Sequence, residues 1–233
     1  MSFKAQIGVI CAMEIELSEI SAQMKITDRK TISGIEFILG EMDNKNIVCA
    51  VCGIGKVFAA ICAEAMILNF SPEIIVNSGV AGGLSKTLCV CDAAVASSLV
   101  QHDLDTSPLG DPVGLISGIN IVNIPCDEKA SALLKKCAED LELHCEVGVI
   151  ASGDQFVASM EKKDYITSNF SAIACEMEGA SIGQVCYVNN VKCGVLRAIS
   201  DGGNDEATMD YPTFVKKAAH NSAEIIKKFI NEY

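Results

Sequence analysis

Short apolar runs rich in β-branched residues alternate with longer stretches of helical periodicity along the chain. The helical stretches predict helices at residues 14–23, 56–69, 127–142, 161–169, 178–189 and 210–231. The apolar runs predict strands at residues 5–11, 36–39, 46–52, 74–77, 93–99, 146–151, 172–175 and 194–199. Strands that are apolar throughout and alternate with helices indicate a largely parallel sheet covered on both faces. No repeat, low-complexity tract or linker divides the sequence, so we expect one α/β domain over residues 1–233.

The apolar side chains supply a large core and no membrane span. They make up 50% of the 233 residues, yet no apolar run reaches the roughly 18 residues that cross a bilayer. No basic leader followed by an apolar stretch and a cleavage site opens the chain, so secretion is not supported. We therefore expect a soluble cytoplasmic protein.

The charge excludes one class of partner. Thirty acidic residues against 18 basic ones give a net charge of −12. This balance leaves no basic patch to neutralise phosphates, and we expect no nucleic-acid partner. Arg29 and Arg197 are the two arginines in the sequence. Arginine is the usual side chain for gripping a phosphate through two parallel hydrogen bonds, so this scarcity bears on the reaction considered below.

The twelve cysteines do not form a disulfide or zinc pattern. Cys49 and Cys52 lie three residues apart in a predicted strand, where side chains point to opposite faces and cannot share a metal. Cys89 and Cys91 have no second pair at finger spacing. The remaining cysteines are scattered among Ala, Val and Ile, which is typical of small buried side chains. A redox-sensing thiol is the alternative, and we expect no metal.

Polar clusters follow the predicted strands at the points where ligands of parallel sheets bind. The irregular stretch 101–120 is rich in Asp, Pro, Gly and Ser, and a loop this long is usually functional or lies at an interface. The clusters at strand ends occupy residues 11–16, 53–56, 77–83, 152–157, 175–180 and 197–203.

Each cluster also has a structural explanation. The glycines of residues 53–56 fit neither the Walker nor the Rossmann pattern. Phe156 fits either a core position or a platform on which a planar ligand stacks. Carboxylates among apolar neighbours are costly unless paired or protonated. An ion pair between Arg197 and a nearby Glu is therefore an alternative to catalysis for part of this set.

Taken in order, the clusters resemble the 5′-methylthioadenosine/S-adenosylhomocysteine nucleosidases of the nucleoside phosphorylase superfamily. The resemblance runs nearly end to end. It implies an α/β domain with a mixed, mostly parallel central sheet flanked by helices. Its motifs are A-M-E-x-E at 12–16, G-I-G-K at 53–56, A-G-G at 81–83, S-G-D-x-F at 152–156, E-M-E at 176–178 and R-A-I-S-D at 197–201.

The resemblance implies hydrolysis of the N-glycosidic bond of a 5′-substituted adenosine, without a cofactor. Breaking this bond leaves positive charge on the ribose and negative charge on the purine. The family roles make Asp201 the general acid at purine N7, and Glu16 the residue that activates water. An acid working near neutral pH needs a raised pKa, which burial at an apolar strand end provides.

The resemblance also assigns the substrate contacts. Glu178 would hold the ribose hydroxyls and Met177 would lie against the sugar. Phe156 would stack on the base, and the backbone of Val157 would read its Watson–Crick edge. The remaining expected contacts are Ala81 and Gly82 through their backbone, Ser200 beside Asp201, and Arg197 as an orienter of carboxylates.

Two substitutions and one loop bear on these expectations. Val80 stands where many members have Ser, and Tyr211 stands where a Phe often closes over the substrate. The segment 101–120, with Leu109 near its centre, looks like the family loop that completes the neighbouring subunit's pocket. A homodimer follows by analogy.

Two other functions remain open from the sequence. A phosphorylase of the same superfamily would use phosphate in place of water, but it generally grips that anion with arginines, which are scarce here. A carboxylate such as Glu16 would also repel phosphate. A nucleoside-binding or thiol-sensing protein without activity is the second alternative, although Glu16, Glu178 and Asp201 are all present.

Overall fold

The apolar runs form strands and the periodic stretches form helices in the computed structural model, which describes residues 3–201 and 207–233, apart from the side chains of residues 207–213. The described strands are β1 Ile7–Cys11, β2 Lys25–Ile32, β3 Ile35–Met42, β4 Lys45–Val51, β5 Ile74–Gly83, β6 Ala93–Gln101, β7 Ile124–Pro125, β8 Cys145–Ser152, β9 Ala172–Glu176 and β10 Lys192–Asp201. The described helices are α1 Glu14–Ser21, α2 Lys56–Phe70, α3 Glu128–Asp140, α4 Met160–Phe170, α5 Gly179–Val188 and α6 Ala207–Glu232, with a 3-10 helix at Ser107–Leu109. Each predicted strand and helix is confirmed.

All the described strands belong to one mixed sheet, as expected. Its order is β10-β6-β8-β9-β5-β1-β4-β3-β2, and β10 also pairs with β5. That extra pairing closes a circuit through β10, β6, β8, β9 and β5. The central pairs β1–β4, β1–β5, β5–β10, β6–β8 and β8–β9 are parallel. The β5–β9 pairing is antiparallel and joins the last residues of the two strands, Gly82 to Cys175. The carboxyl ends of the two parallel sets therefore meet at this junction, where most of the predicted clusters lie.

Helices cover both faces of the sheet and bury an apolar layer on each. One layer includes side chains of α2 and α5 and the other includes side chains of α1, α3 and α6. Cys52 lies in the first layer and Cys49 in the second, which confirms that they point to opposite faces. All the cysteines are free thiols, and all but Cys89 and Cys91 are buried. Burial raises the pKa of both Cys49 and Cys52 to about 12, so these thiols are unreactive at neutral pH.

Two strands, β2 and β7, lie where the sequence analysis predicted none. Strand β2 has exposed side chains along nearly its whole length, and its sequence KITDRKTI has no apolar face. It forms because it is the outer strand of an antiparallel hairpin with β3, in which Arg29 is paired with Ile38. The two-residue strand β7, paired with β6, was also missed.

No helix in the described part of the chain is long and apolar enough to span a bilayer.

Candidate active site

The predicted clusters meet in a cavity at the carboxyl ends of β1, β5, β8, β9 and β10. Parallel pairing within each set, and the antiparallel pairing of the ends of β5 and β9, bring these ends together although they are far apart in sequence. Nine of the predicted residues line this cavity: Glu16, Ala81, Gly82, Phe156, Val157, Met177, Glu178, Ser200 and Asp201. The cavity is also lined by residues that the sequence analysis did not single out, namely Ala12, Met13, Ile54, Gln155, Cys175 and Glu176, and by Val80.

Glu16 is held by backbone groups at the start of α1. Its Oε2 accepts hydrogen bonds from the N–H groups of Ala12 (3.0 Å) and Met13 (2.9 Å), and its Oε1 accepts one from Val80 (3.1 Å). Burial raises the pKa of Glu16, and the charge of Arg197 and these backbone donors only partly offset that rise. The carboxylate is therefore fixed in direction and poised to take up a proton.

Gly79 makes room for that carboxylate. A Cβ atom at Gly79 would lie 2.8 Å from Glu16 Oε1, closer than Cβ atoms approach other heavy atoms. The glycine in β5 is thus required by the position of the Glu16 side chain.

Asp201 occupies the end of β10 on another side of the cavity. It is 3% exposed, and its Oδ1 accepts a hydrogen bond from the Ser200 hydroxyl at 3.0 Å. Burial raises the pKa of Asp201, against the opposing effects of the Ser200 hydrogen bond and the positive charge of Lys163. A Cβ at Gly82 would lie 3.1 Å from Asp201 Oδ2, so the backbone of β5 passes close to this carboxyl.

Arg197 lies behind the cavity and binds Glu176. Its guanidinium is 1% exposed and donates hydrogen bonds to the Glu176 carboxylate and to the Asn77 side chain. Glu176 also accepts from the Ser152 hydroxyl and from the N–H groups of Glu178 (2.9 Å) and Gly179 (2.7 Å). Burial raises the pKa of Glu176, but the Arg197 charge and these donors outweigh it and bring the pKa below its ordinary value.

Glu178 is not paired with a cation in the part of the chain that the structure describes. Its Oε1 accepts one hydrogen bond, from the N–H of Gly55 at 2.8 Å. Burial and the negative charge of Glu176 raise the pKa of Glu178 to about 7. The two carboxylates of the E-M-E motif therefore differ: Glu176 is an ionised structural partner of Arg197, whereas Glu178 faces the cavity and changes charge near neutral pH.

The G-I-G-K motif holds two other parts of the site. Gly55 binds Glu178, and the N–H of Lys56 donates to Asp154 Oδ1 at 2.8 Å. Gly55 has a φ of +100°, which favours glycine. The backbone of this motif thus binds two carboxylates of this chain.

The aromatic and apolar members of the site come from the segment after β8 and from the loop after β9. Phe156 lines the cavity and is 54% exposed, whereas Val157 is buried in a small apolar cluster. Met177 is half-buried and also lines the cavity. The Phe156 ring is therefore not a core residue.

One predicted contact lies elsewhere. Leu109 is 83% exposed in the 3-10 helix and does not line the cavity of its own chain. The Tyr211 side chain lies outside the described residues.

One group of side chains in the described ranges has its ligand atoms close enough together to hold a metal ion: Glu19, His220 and Glu224. These residues do not line the cavity. The Glu19 and Glu224 carboxylates already pair with Lys227. The cavity itself offers separately held carboxyl groups of raised pKa, an arrangement suited to general acid and base chemistry.

The comparisons with known proteins agree with this geometry. A model of the phosphorylase superfamily matches residues 6–231. The aminodeoxyfutalosine nucleosidase of Helicobacter pylori is 40% identical over 228 residues, which cover 97% of this chain and 99% of that protein. The 5′-methylthioadenosine/S-adenosylhomocysteine nucleosidase of Shewanella loihica is 34% identical over 223 residues, covering 95% and 96%.

Solved structures resemble the chain over its whole length. A mutant Helicobacter pylori nucleosidase with 5′-methylthioadenosine in its active site matches with a TM-score of 0.94 at 39% identity, covering 99% of this chain and 100% of that one. The Neisseria meningitidis 5′-methylthioadenosine/S-adenosylhomocysteine nucleosidase in complex with methylthio-immucillin-A matches with a TM-score of 0.93 at 31% identity, covering 97% and 99%. The chain therefore belongs to the phosphorylase superfamily, and within it to the family of 5′-methylthioadenosine/S-adenosylhomocysteine nucleosidases.

Proposed function

We propose that this protein hydrolyses the N-glycosidic bond of 5′-substituted adenosines and releases adenine and the 5′-substituted ribose. The observation that carries the proposal is the pair of buried carboxyl groups of Glu16 and Asp201, which line one cavity and are held by separate partners. The relatives named above supply the class of substrate, because they are nucleosidases and one was solved with 5′-methylthioadenosine.

The two carboxyl groups divide the work of the reaction. Asp201 donates its proton to N7 of the purine, which lets the base leave with the electrons of the C1′–N9 bond. Glu16 takes a proton from a water molecule whose oxygen forms the new bond to C1′. The raised pKa of Asp201 favours the protonated acid, and the three N–H donors hold Glu16 in one orientation.

The remaining cavity residues bind the nucleoside. Glu178 accepts hydrogen bonds from the ribose hydroxyls, Met177 lies against the sugar, and Phe156 stacks on the base. The backbone of Val157 reads the Watson–Crick edge of adenine. Ser200, together with the backbone of residues 81–82, holds Asp201 and the purine side of the pocket.

Water is favoured over phosphate as the nucleophile. No Arg, Lys or His is among the described residues that line the cavity. Arg197 is bound to Glu176, and Arg29 pairs with Glu36 on the exposed strand β2. A phosphate ion would therefore meet the carboxylates of the cavity without a cation to hold it.

The decisive experiment incubates the protein with 5′-methylthioadenosine in the presence and absence of phosphate. We expect free adenine and free 5-methylthioribose at the same rate in both conditions. Turnover that requires phosphate and yields the sugar 1-phosphate would contradict the proposal. A panel of 5′-methylthioadenosine, S-adenosylhomocysteine, 5′-deoxyadenosine and aminodeoxyfutalosine, compared by kcat/KM, then identifies the preferred 5′ substituent.

We also infer that the protein acts as a homodimer in which the segment 101–120 completes the partner's pocket. Leu109 is exposed on that segment, and α2 carries exposed apolar side chains at Val57, Phe58 and Leu68. An apolar patch of this kind is typical of an interface. Light scattering should give twice the monomer mass for the wild type and for a Leu141→Glu control, and a monomer for Val57→Glu combined with Leu68→Glu.

We place this enzyme in the cytoplasm, as a single domain over residues 1–233. The twelve free thiols support a reducing compartment, where thiols persist without pairing.

A further inference from the structure

The segment after β6 and the turn after β8 are joined just beyond the ends of these two strands. Gln101 pairs with Ser152 in parallel register, and the N–H of His102 donates to the Ser152 carbonyl at 3.0 Å. The pairing therefore continues past both strands and brings His102 beside Gly153. Gly153 opens the turn that leads to the cavity residues Phe156 and Val157.

The His102 ring is packed against the turn without forming hydrogen bonds. It is 1% exposed, and neither ring nitrogen has a partner among residues 3–201 and 207–233. A Cβ at Gly153 would lie 2.4 Å from both Cε1 and Nε2 of the ring. The ring thus occupies the space that any other residue at position 153 would fill. His102 therefore contributes the packing of a flat ring against Gly153 and no hydrogen bond from that ring.

Asp103 fixes the next residue of the turn. Its Oδ2 accepts a hydrogen bond from the N–H of Asp154 at 2.9 Å, and its Oδ1 accepts one from Lys56 Nζ at 2.6 Å. The N–H of Lys56 in turn donates to Asp154 Oδ1. Three hydrogen bonds therefore close a circuit through residues 56, 103 and 154. Lys56 and Asp103 are both largely shielded from solvent, which strengthens their attraction.

The turn is held at its two ends and exposed between them. Gly153 and Val157 are buried, whereas Gln155 and Phe156 are exposed. Neither His102 nor Asp103 lines the cavity. Within one chain, both therefore act on a ligand of this cavity through the turn that they hold.

We propose that His102 and Asp103 are positioning residues that hold the 153–157 turn so that Phe156 and Val157 meet the adenine base. The inference rests on the proposed function, because it assigns the base side of the pocket to this turn. It separates the base side from the sugar side, which is formed by Met177 and Glu178 on the loop after β9. The two sides can be measured independently through the two products of the reaction.

The test measures the dissociation constants of adenine and of 5-methylthioribose for Asp103→Asn and His102→Ala. We expect adenine to bind about tenfold more weakly in Asp103→Asn, as for the loss of one hydrogen bond to a charged group. We expect a loss of about the same size in His102→Ala, because removing the packed ring leaves a cavity beside Gly153. The affinity for 5-methylthioribose should stay within about twofold. Asp164→Asn is the matched control, since Asp164 is exposed on α4 and lies outside both the cavity lining and the segment 101–120. That control should leave both constants unchanged.

A rescue variant tests the role of shape. His102→Phe keeps a flat ring and removes both nitrogens, so it should bind adenine within about threefold of the wild type. Equal weakening of both products, or unchanged adenine binding in Asp103→Asn, would overturn the inference. Asp103→Asn remains a test even where His102→Ala does not fold. If the wild type releases no adenine from any 5′-substituted adenosine, the proposed function itself has failed.

Discussion

Arg197 on β10 binds the carboxylate of Glu176 on β9 and not that of Glu178, two residues further along the same motif. Both partners of this ion pair are buried, with side-chain exposures of 1% and 2%. Glu178 forms no ion pair with a described residue, and burial together with the negative charge of Glu176 raises its pKa. Arg197 lowers the pKa of both carboxyl groups, but only at Glu176 do its charge and the local hydrogen bonds together outweigh the effect of burial.

Replacing Glu176 should destabilise the fold. In Glu176→Gln the buried Arg197 charge loses its counterion, which costs about 3–5 kcal/mol when one partner of a buried pair is removed. Urea unfolding measures the change. Glu36→Gln is the control, because Glu36 pairs with Arg29 at a site about half exposed, where the cost is about 0–1 kcal/mol. Equal stability of the two variants would show that the buried pair contributes no more than the exposed one.

The helices and the buried strands could be predicted because their apolar patterns are strong. Strand β2 could not, because its side chains are exposed and only the pairing with β3 makes it a strand. The closed circuit of strands depends on the double pairing of β10 with β5 and β6. No local pattern in the sequence encodes such a contact.

The site could be predicted to the level of its clusters, since the carboxyl ends of parallel strands meet. The separate roles of Glu176 and Glu178 could not be read from a motif that contains both. They differ through contacts with residues far along the chain, namely Arg197 and Gly55. No sequence motif identifies His102, because its ring acts by filling the space beside Gly153.

Replacing the Asp201 carboxyl group should slow turnover strongly and leave the fold intact. Asp201→Asn keeps the size of the side chain but has no carboxyl proton to give, so we expect kcat to fall by on the order of 10²–10⁴. Adenine release measures the effect, and the melting temperature confirms folding. Asp164→Asn, a change on the exposed face of α4, is the control. Equal turnover in Asp201→Asn and wild type would show that Asp201 is not the acid. No turnover in either protein would favour a protein that binds nucleosides without cleaving them.

A methyl group at Gly79 should displace the Glu16 carboxylate. The Cβ of Gly79→Ala would lie 2.8 Å from Glu16 Oε1, so the carboxylate must move. A displacement of about 1 Å at a catalytic group can cost about 100-fold in rate, and we expect kcat/KM to fall by that order. Gly194→Ala is the control, because its nearest neighbour, a Leu134 methyl carbon, lies 3.4 Å away. Activity equal to that of the control would show that Glu16 need not hold its present position.

The stability of the protein should depend on pH through Glu178. Its pKa is raised to about 7 in the folded protein, from an ordinary value of 4.5, because burial and the Glu176 charge disfavour ionisation. A raised carboxyl pKa means that the folded state binds the proton more tightly than the unfolded chain. The resulting stabilisation is fully present below about pH 4.5 and is lost as the pH rises through about 7.

Glu178→Gln removes this dependence while its amide oxygen can still accept the hydrogen bond from Gly55. The free energy of unfolding of the wild type should therefore fall relative to that of Glu178→Gln as the pH rises from 5 to 8. Urea unfolding of both proteins at each pH measures the difference, and the other titrating groups cancel because the two chains share them. Parallel pH profiles would mean that Glu178 titrates alike in the folded and unfolded states, and its burial beside Glu176 would then have no energetic consequence.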